Sequence, residues 1–381
     1  MVEPCPLIEL SGPPGPRGRD YGRQAHDRIR KGIAHYSSQL KRLEFDWPQV
    51  RGLVADYLPV IEAFEPAYVE EMRGIAEGAG VEFEEIVLLN ARTEILKLGQ
   101  RPDLRARLAA HDEPDGCTGV VVMPAATRDN RLIHAQNWDW KAECVETAVV
   151  LRIRRDDGPD VLTFAEAGAL ARCGMNAAGI AITANYLESD RDYSQVGVPL
   201  AVIRRKVLDS EHLALAMRAV YATAKSASNN MIVSHREGVA IDFECAPDET
   251  FQVHPTNGLL VHANHWVSPV ALAKLKDTGV ANTPDSLYRD IRVRDLLAPQ
   301  VGRLGRDAVK GALFDDFASP WSVCRPPRPA LTSNLSATVA MIVMEPAAGV
   351  MEVAMLPARN RDFTTYRLEP SGATPRMVAS A

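Results

Sequence analysis

Residues 115–118 read Asp-Gly-Cys-Thr, and residues 136–140 read Gln-Asn-Trp-Asp-Trp. The apolar run at 119–123, directly after the cysteine and threonine, predicts a buried strand. A polar turn then leads to a second short strand at 132–135, as in a β-hairpin. Such a hairpin brings the Gln-Asn-Trp-Asp stretch back beside the thiol, at the start of the first strand.

The thiol of Cys117 has the features of a nucleophile that becomes the N-terminus of a new chain. A catalytic thiol needs a base and a group that stabilises an oxyanion. At a chain terminus the α-amino group, with an ordinary pKa of roughly 7.7–8.0, supplies that base. Gly116 lacks a Cβ, which leaves its carbonyl open to attack. We therefore predict self-cleavage between Gly116 and Cys117; a buried structural cysteine is the alternative that Cys117 alone would favour.

Several stretches resemble the isopenicillin N acyltransferase family, the acyl-CoA:6-aminopenicillanate acyltransferases and related amidohydrolases. That family carries Asp-Gly-Cys-Thr at its cleavage site and Gln-Asn-Trp-Asp further along, and both are intact here. Other family-like stretches are spread over nearly the whole chain: Gly12–Gly22, Gly74–Val81, Gly174–Ala181, Val261–Trp266 and Ser322–Arg325. Their order and spacing make the combined signal far more specific than the tetrapeptide alone.

The resemblance implies an α+β fold, the αββα four-layer sandwich of N-terminal-nucleophile hydrolases. It also implies that autoproteolysis releases residues 1–116 as a helical α segment. Residues 117–381 would form the β subunit that carries the nucleophile. Because the N-terminal helices are apolar, we expect the two pieces to remain packed together as one integrated fold.

The resemblance also assigns three further catalytic residues. Asp139 is expected to bond the freed α-amino group or to orient the thiol. Asn264 matches the oxyanion asparagine of the family, whose side-chain N–H stabilises a tetrahedral intermediate. Arg325 matches its site arginine, expected either to bind a substrate carboxylate or to set the electrostatics of the nucleophile. Without the resemblance, each would be interpreted as an ordinary turn or loop residue.

Two further positions follow from related thiol amidases that hydrolyse bile salts or penicillin V. Asn185, or the main chain of Tyr186, lies after a similar strand and is a second candidate for the oxyanion site. His262 and His265 flank Asn264 and leave open a conventional Cys-His pair, although packing histidines are favoured if the α-amine is the base.

Composition excludes several other classes of protein. The net charge is −6, the isoelectric point about 5.9, and no long basic run is present, which argues against nucleic-acid binding. The N-terminus lacks the features of a signal peptide, and no run reaches the ~18 apolar residues of a membrane span. The six cysteines are widely scattered, which suits neither a disulfide framework nor a metal site. We expect a cytoplasmic protein with no metal, and a homo-oligomer is compatible with the sequence.

Periodicity predicts helices before Cys117 and mainly strands after it. Residues 1–98 are predicted as a strand at 7–10, a Gly/Pro turn at 12–18 and four helices, with an exposed connector at 99–114. Strands are predicted at 118–123, 132–137, 147–153, 161–164, 179–184, 230–235, 238–244, 259–263, 338–345, 350–356 and 363–368. Helices are predicted at 198–208, 211–224, 284–297 and 306–314.

The leading functional hypothesis is an autoprocessed thiol enzyme that forms an acyl-enzyme at Cys117. Its substrate would be a small-molecule acyl amide or acyl thioester, with water or an amine as acceptor, and the sequence leaves hydrolysis and transfer open. No cofactor is expected, and acyl-CoA is a candidate co-substrate. The alternatives are an uncleaved amidohydrolase that uses His262 or His265, and a non-enzymatic relic of the fold that binds a ligand.

Overall fold

The N-terminal part of the chain is one strand followed by helices. The computed structural model describes residues 2–42, 45–96, 116–329 and 335–368. Strand β1 is Leu7–Leu10, as predicted. Helices α1 to α6 are Pro14–Gln24, His26–Arg42, Trp47–Phe64, Pro66–Ala79, Phe83–Asn90 and Arg92–Leu96. The predicted connector at 99–114 lies outside the described residues.

Two of the predicted helix boundaries were wrong. The Gly/Pro segment is a turn only as far as Pro13, because α1 begins at Pro14, a position in the first turn where proline is favoured. The predicted fourth helix is interrupted at Ala91, where α5 ends before α6 begins. Helix α3 begins at Trp47, beside Pro48, with Asp46 in a capping box, and α4 ends at the left-handed Gly80.

Every strand predicted after Cys117 is present, although the ends differ by a few residues. Strands β2 to β15 are Cys117–Val122, Ile133–Lys141, Ala148–Ile153, Val161–Glu166, Cys173–Asn176, Ile180–Tyr186, Asn229–His235, Val239–Cys245, Thr250–Val253, Leu259–His262, Arg328–Pro329, Leu335–Glu345, Val350–Met355 and Thr364–Arg367. Helices α7 to α11 are Leu200–Leu208, Leu213–Tyr221, Pro269–Leu272, Ser286–Leu297 and Arg306–Leu313.

The strands form two sheets. The eight-stranded sheet has the order β1-β4-β5-β6-β7-β8-β9-β10, and the seven-stranded sheet has the order β11-β2-β3-β13-β14-β15, with β12 paired to β13. Along β13 the apolar residues alternate between two cores: Ile342 and Met344 join the large core with the N-terminal helices, whereas Met341 and Val343 pack with α10 and α11. Helices α1 to α8 therefore cover one sheet and α10 and α11 the other, which confirms the αββα sandwich.

The N-terminal segment is part of this fold and not an appendage. Strand β1 pairs in parallel with β4, so residues before the proposed cleavage point form one edge of the eight-stranded sheet. Within the N-terminal segment, α1 packs on α4 at glycines. A methyl group at Gly18 or Gly78 would collide with a backbone carbonyl of the facing helix. Among the described residues, no helix combines the length and hydrophobicity required to cross a membrane.

Candidate active site

Cys117 is the first residue of β2 and is almost completely buried. It lies opposite Trp138 of the antiparallel strand β3, and Thr118 lies opposite Asn137. The predicted hairpin is therefore present, and it places the Gln-Asn-Trp-Asp stretch beside the thiol. Strand β3 continues to Lys141, beyond the segment predicted from periodicity.

The main chain of Cys117 is held on both sides by buried polar groups. Its N–H donates to Asn264 Oδ1 at 2.7 Å, and its carbonyl accepts from Arg289 Nη1 at 2.6 Å. Arg289 Nη2 also donates to Asn264 Oδ1, at 2.9 Å. Because both neighbours of that atom are donors, the orientation of the Asn264 amide is determined by the network.

The amide nitrogen of Asn264 points toward the neighbouring sheet. Its Nδ2 donates to the carbonyl of Tyr186 at 2.9 Å. An amide nitrogen carries two hydrogens, so this contact leaves a second N–H for a reacting oxygen. The backbone N–H of Asn264 donates to Ser286 Oγ at 2.7 Å, in the first turn of α10, which anchors the segment.

Asp139 and Arg325 form one buried group with Thr338 and Asp285. Asp139 Oδ1 accepts from Thr338 Oγ1 at 2.6 Å, and its Oδ2 lies 3.2 Å from Arg325 Nε. Arg325 Nη2 donates to Asp285. The Arg325 side chain is fully buried, so it is not a surface loop residue. This geometry supports the electrostatic role predicted for Arg325 over direct binding of a substrate carboxylate.

Gly116 lies against the guanidinium of Arg325. A Cβ built on Gly116 would come within 2.5 Å of both Cζ and Nη1 of Arg325. A side chain at position 116 would therefore displace the arginine that contacts Asp139.

The charges in this group balance one another. Burial alone would raise the pKa of Asp285, but Arg325 and Arg289 outweigh it and hold that pKa below its ordinary value. Burial, together with the positive charge of Arg325, lowers the pKa of Arg289. Asp285, which directly precedes α10, and Arg289 in its first turn form an ion pair at 2.8 Å.

Asn185 contacts the two residues that precede Asn264 in the chain. Its Nδ2 donates to the carbonyls of His262 and Ala263 at 2.9 and 3.0 Å, and its Oδ1 accepts from Gln136 Nε2 at 2.7 Å. These contacts place Asn185 as a support for the segment that carries Asn264. The main chain of Tyr186 was the other candidate for this role. Its carbonyl accepts a hydrogen bond from the Asn264 amide.

Both histidines are engaged away from the thiol. Nε2 of His262 bonds Glu244 at 2.7 Å and its Nδ1 faces the Ala263 carbonyl at 3.0 Å. Burial lowers the pKa of His262, but Asp242 and Glu244 outweigh burial and raise that pKa to about 9. A histidine protonated at neutral pH cannot accept a proton from a thiol.

His265 has a different environment. Its Nδ1 lies 2.8 Å from the hydroxyl of Ser286, which also accepts the Asn264 N–H. The tautomer of His265 decides which of these two atoms donates in the contact. Burial and the charge of His262 lower the pKa of His265, which favours the neutral ring.

A small cavity adjoins the thiol. It has a volume of about 20 Å³, and its lining includes Cys117, Trp138, Arg172 and Arg204. Arg172 Nη2 lies 3.8 Å from Cys117 Sγ, and its guanidinium stacks over the Trp138 ring at 4.2 Å. Among the described residues, no group of three or more His, Cys, Asp or Glu side chains is placed to hold a metal ion.

Sequence reasoning missed Arg289, Asp285 and Arg172. The i,i+4 spacing of Asp285 and Arg289 at the start of a predicted helix was an available signal, since such pairs share a helix face. No local pattern marks Arg172, because its relation to Cys117 arises from the pairing of distant strands.

Comparison with solved structures gives weak overall similarities. A variant of conjugated bile acid hydrolase from Clostridium perfringens aligns with a TM-score of 0.47 and 13% identity, covering 66% of this chain and 92% of that chain. A penicillin V acylase from Agrobacterium tumefaciens aligns with a TM-score of 0.42 and 16% identity, covering 63% and 83%.

Comparison at the sequence level identifies the family. The Acyl-coenzyme A:6-aminopenicillanic-acid-acyltransferase 40 kDa form of Emericella nidulans is 27% identical over 329 residues, which cover 84% of each chain. Residues 126–360, more than half of this chain, match the family described as Acyl-coenzyme A:6-aminopenicillanic acid acyl-transferase. That match includes Asp139, Asn264 and Arg325 and begins after Cys117. The chain belongs to the acyl-coenzyme A:6-aminopenicillanic acid acyl-transferase family.

Proposed function

We propose that this enzyme processes itself and then acts through an acyl-enzyme on Cys117. Family membership establishes acyl transfer or amide hydrolysis on small acyl substrates. In the processing step the Cys117 thiol attacks the Gly116 carbonyl, and the acyl group moves from nitrogen to sulfur. Water then hydrolyses this thioester, which releases residues 1–116 with a carboxylate on Gly116. Cys117 keeps its thiol and gains a free α-amino group.

The contact between Cys117 N and Asn264 Oδ1 is the observation that carries the proposal. It places the nitrogen that would become the α-amine in a buried polar site, bonded at 2.7 Å. A structural cysteine at the start of a strand requires neither this contact nor the Arg289 contact to its carbonyl. Gly116 also lies directly against the Arg325 guanidinium, which places this peptide bond beside the group formed by Asp139 and Arg325.

Turnover would follow the same chemistry on an external substrate. The thiol attacks the acyl carbonyl, the α-amine takes the thiol proton, and the leaving amine or thiol departs with a proton. The second N–H of Asn264 would stabilise the oxyanion. The ion pair of Asp139 and Arg325 would set the electrostatic environment of the Cys117 thiol and α-amine. The thioester then passes its acyl group to water or to an amine. Acyl-CoA, which appears in the name of the Emericella nidulans relative, is a candidate donor.

The uncleaved Cys-His mechanism has less support. His262 is bonded to Glu244 and biased to the charged form, and His265 is bonded to Ser286. His265→Gln is therefore the informative variant: substantial turnover after this change supports the α-amine as base. A loss as large as that of Cys117→Ala, with folding and cleavage intact, would favour the Cys-His mechanism. The intact set of Cys117, Asp139, Asn264 and Arg325 also argues against a non-enzymatic relic.

Trapping the acyl-enzyme tests the proposal directly. Acid-quenched enzyme, incubated with an acyl amide or acyl-CoA, should gain the mass of the acyl group on the peptide that contains Cys117. Cys117→Ala should abolish both cleavage and turnover, and Cys117→Ser should cleave but turn over poorly, because a hydroxyl is the weaker nucleophile. Cys245→Ala, which changes a buried cysteine of β9, is the matched control. Full activity in Cys117→Ala would refute the proposal.

A further inference from the structure

Glu244 of β9 is a buried carboxylate to which the proposed reaction assigns no role. Its side chain is fully buried, and glutamates are rarely buried to this extent unless they are paired. Its Oε1 accepts from His262 Nε2 and from the backbone N–H of Val267, both at 2.7 Å. Its Oε2 accepts from the backbone N–H of Ser268 at 3.0 Å. One carboxylate therefore holds three donors of residues 262–268, the Asn264 segment.

These three donors lie on both sides of the amide assigned to the oxyanion. His262 is two residues before Asn264, and Val267 and Ser268 are three and four residues after it. Between these points, Asn264 Oδ1 accepts from the Cys117 N–H and Asn264 Nδ2 donates to the next sheet. A carboxylate that fixes both ends of so short a segment also restrains the side chain between them.

The charges of the cluster favour the same arrangement. Both ring nitrogens of His262 face acceptors, because its Nδ1 lies 3.0 Å from the Ala263 carbonyl and its Nε2 faces Glu244. Burial lowers the pKa of His262, but Asp242 and Glu244 outweigh burial and raise that pKa to about 9. The contact between His262 and Glu244 is therefore a charge-assisted hydrogen bond at neutral pH, which is stronger than a bond between neutral groups.

A second series of contacts connects the same sheet to the Asn264 segment. Asp242 Oδ2 accepts from Asn230 Nδ2 at 3.0 Å, and Asn230 Oδ1 accepts from the Asn185 N–H at 2.7 Å. Asn185 Nδ2 in turn donates to the two carbonyls that directly precede Asn264. Side chains of β7, β8 and β9 thus hold a segment that continues β11 of the other sheet. The oxyanion amide is positioned where the two sheets meet.

We propose that Glu244 is a positioning residue that holds the Asn264 amide where the oxyanion forms. This inference rests on the proposed function, because it concerns the oxyanion donor of that site. A donor that is already in place stabilises the oxyanion without reorganisation during the reaction. By contrast, a displacement of about 1 Å can lower a rate by a factor of about 10². If Glu244 only stabilised the fold, turnover per folded molecule would not depend on it.

Glu244→Gln tests this role with little change in shape. The variant replaces one acceptor oxygen by an NH2 group, so at least one N–H of His262, Val267 or Ser268 would face another donor. We expect kcat to fall by about 10- to 100-fold, less than in Asn264→Ala. KM should change by less than about 2-fold, because the oxyanion forms only on the way through the transition state.

Two further variants complete the comparison. Glu345→Gln changes a buried carboxylate at the end of β13 that pairs with Arg131, and it should leave kcat and KM unchanged. If Glu244→Gln does not fold, Glu244→Asp provides the test. Its carboxylate is shorter by one methylene and lies further from the three donors, so kcat should fall while KM stays the same.

A double-mutant cycle separates positioning from stability. If Glu244 acts through Asn264, adding Glu244→Gln to Asn264→Ala should lower kcat by less than about 2-fold more. An equal fractional loss in both backgrounds would overturn the positioning role and leave the proposed function standing. So would a normal kcat in the Glu244 variants beside an impaired Asn264→Ala. Full activity in Asn264→Ala would instead refute the oxyanion role in the proposed function, and this inference with it.

Discussion

The side chain of Asn264 connects the two halves of the proposed chemistry. Its Oδ1 contacts the Cys117 nitrogen that cleavage would release, and its Nδ2 carries the N–H assigned to the oxyanion. One residue would thus orient the base and stabilise the intermediate. The sequence pointed to the second role only, because the first depends on how β2 and the segment after β11 meet.

Removing this amide should damage both steps. We expect Asn264→Ala to lower kcat by about 10²–10³, the scale for the loss of one oxyanion donor. Processing should also slow, which is measured by the fraction of uncut chain over time. Asn185→Ala, which removes the supporting amide, should cost less in kcat. An equal or larger loss in Asn185→Ala, with the fold intact, would move the oxyanion site to Asn185.

His262 and its carboxylate partners make stability depend on pH. The pKa of His262 is raised from 6.5 to about 9, so the folded state favours the protonated ring. Its contribution to stability is fully present below pH 6.5 and is lost as the pH rises through about 9. We expect the melting temperature to fall over this window, and His262→Gln to melt lower with a flatter profile. An unchanged pH slope in His262→Gln would contradict this account.

At the scale of elements, one helix–helix contact explains the glycines of two family-like stretches. Gly12–Gly22 includes most of α1, and Gly74–Val81 includes the end of α4, and these two helices pack directly on each other. Their glycines allow backbone-to-backbone contact that any side chain would prevent. Glycine and proline suggested a turn here because their local preference favours one, whereas close helix packing is a tertiary requirement.

Alanine substitutions distinguish packing glycines from a neutral one. Gly18→Ala and Gly78→Ala should each lower the free energy of unfolding by about 1–3 kcal/mol or more, because the helices must separate. The matched control is Gly52→Ala on the exposed face of α3, where a Cβ meets no atom within 4 Å. That change should stabilise the protein by about 0.4–1 kcal/mol. Denaturant unfolding measures all three, and equal effects would contradict the packing interpretation.

Short strands were the elements that sequence patterns missed. Strand β6 contains glycine and asparagine in only four residues, a composition typical of turns. Strand β10 is also four residues long and lies at the edge of its sheet. Both are stabilised by pairing with longer strands, which local periodicity does not encode. The longer strands and the longer helices after Cys117 were predicted correctly because their patterns extend over several residues, whereas the four-residue helix α9 was missed.

At the scale of the molecule, residues on both sides of the proposed cleavage point share one core. Strand β1 pairs with β4, and Glu71 of α4 is held between Arg17 and Arg205. Arg92 of α6 pairs with Glu166 of β5. These buried contacts support the expectation that the two pieces remain associated after cleavage.

The sequence predicted which candidate residues lie close together better than it predicted their surroundings. Cys117, Asp139, Asn264 and Arg325 lie together in the structure, and their catalytic roles remain predictions. The partners that orient them, Arg289 among them, come from a helix distant in sequence. Resemblance to a family identifies motif residues. The charged side chains that contact those residues come from distant parts of the sequence, so they are known only from the folded structure.

Intact-mass spectrometry of active enzyme is the most direct test of the central claim that Cys117 is a released N-terminus. We predict two masses, for residues 1–116 and 117–381, that co-purify in a native complex, with the larger piece starting at Cys117. Activity should rise in proportion to the cut fraction during maturation. A fully active preparation that consists of one uncut 381-residue chain would contradict the account.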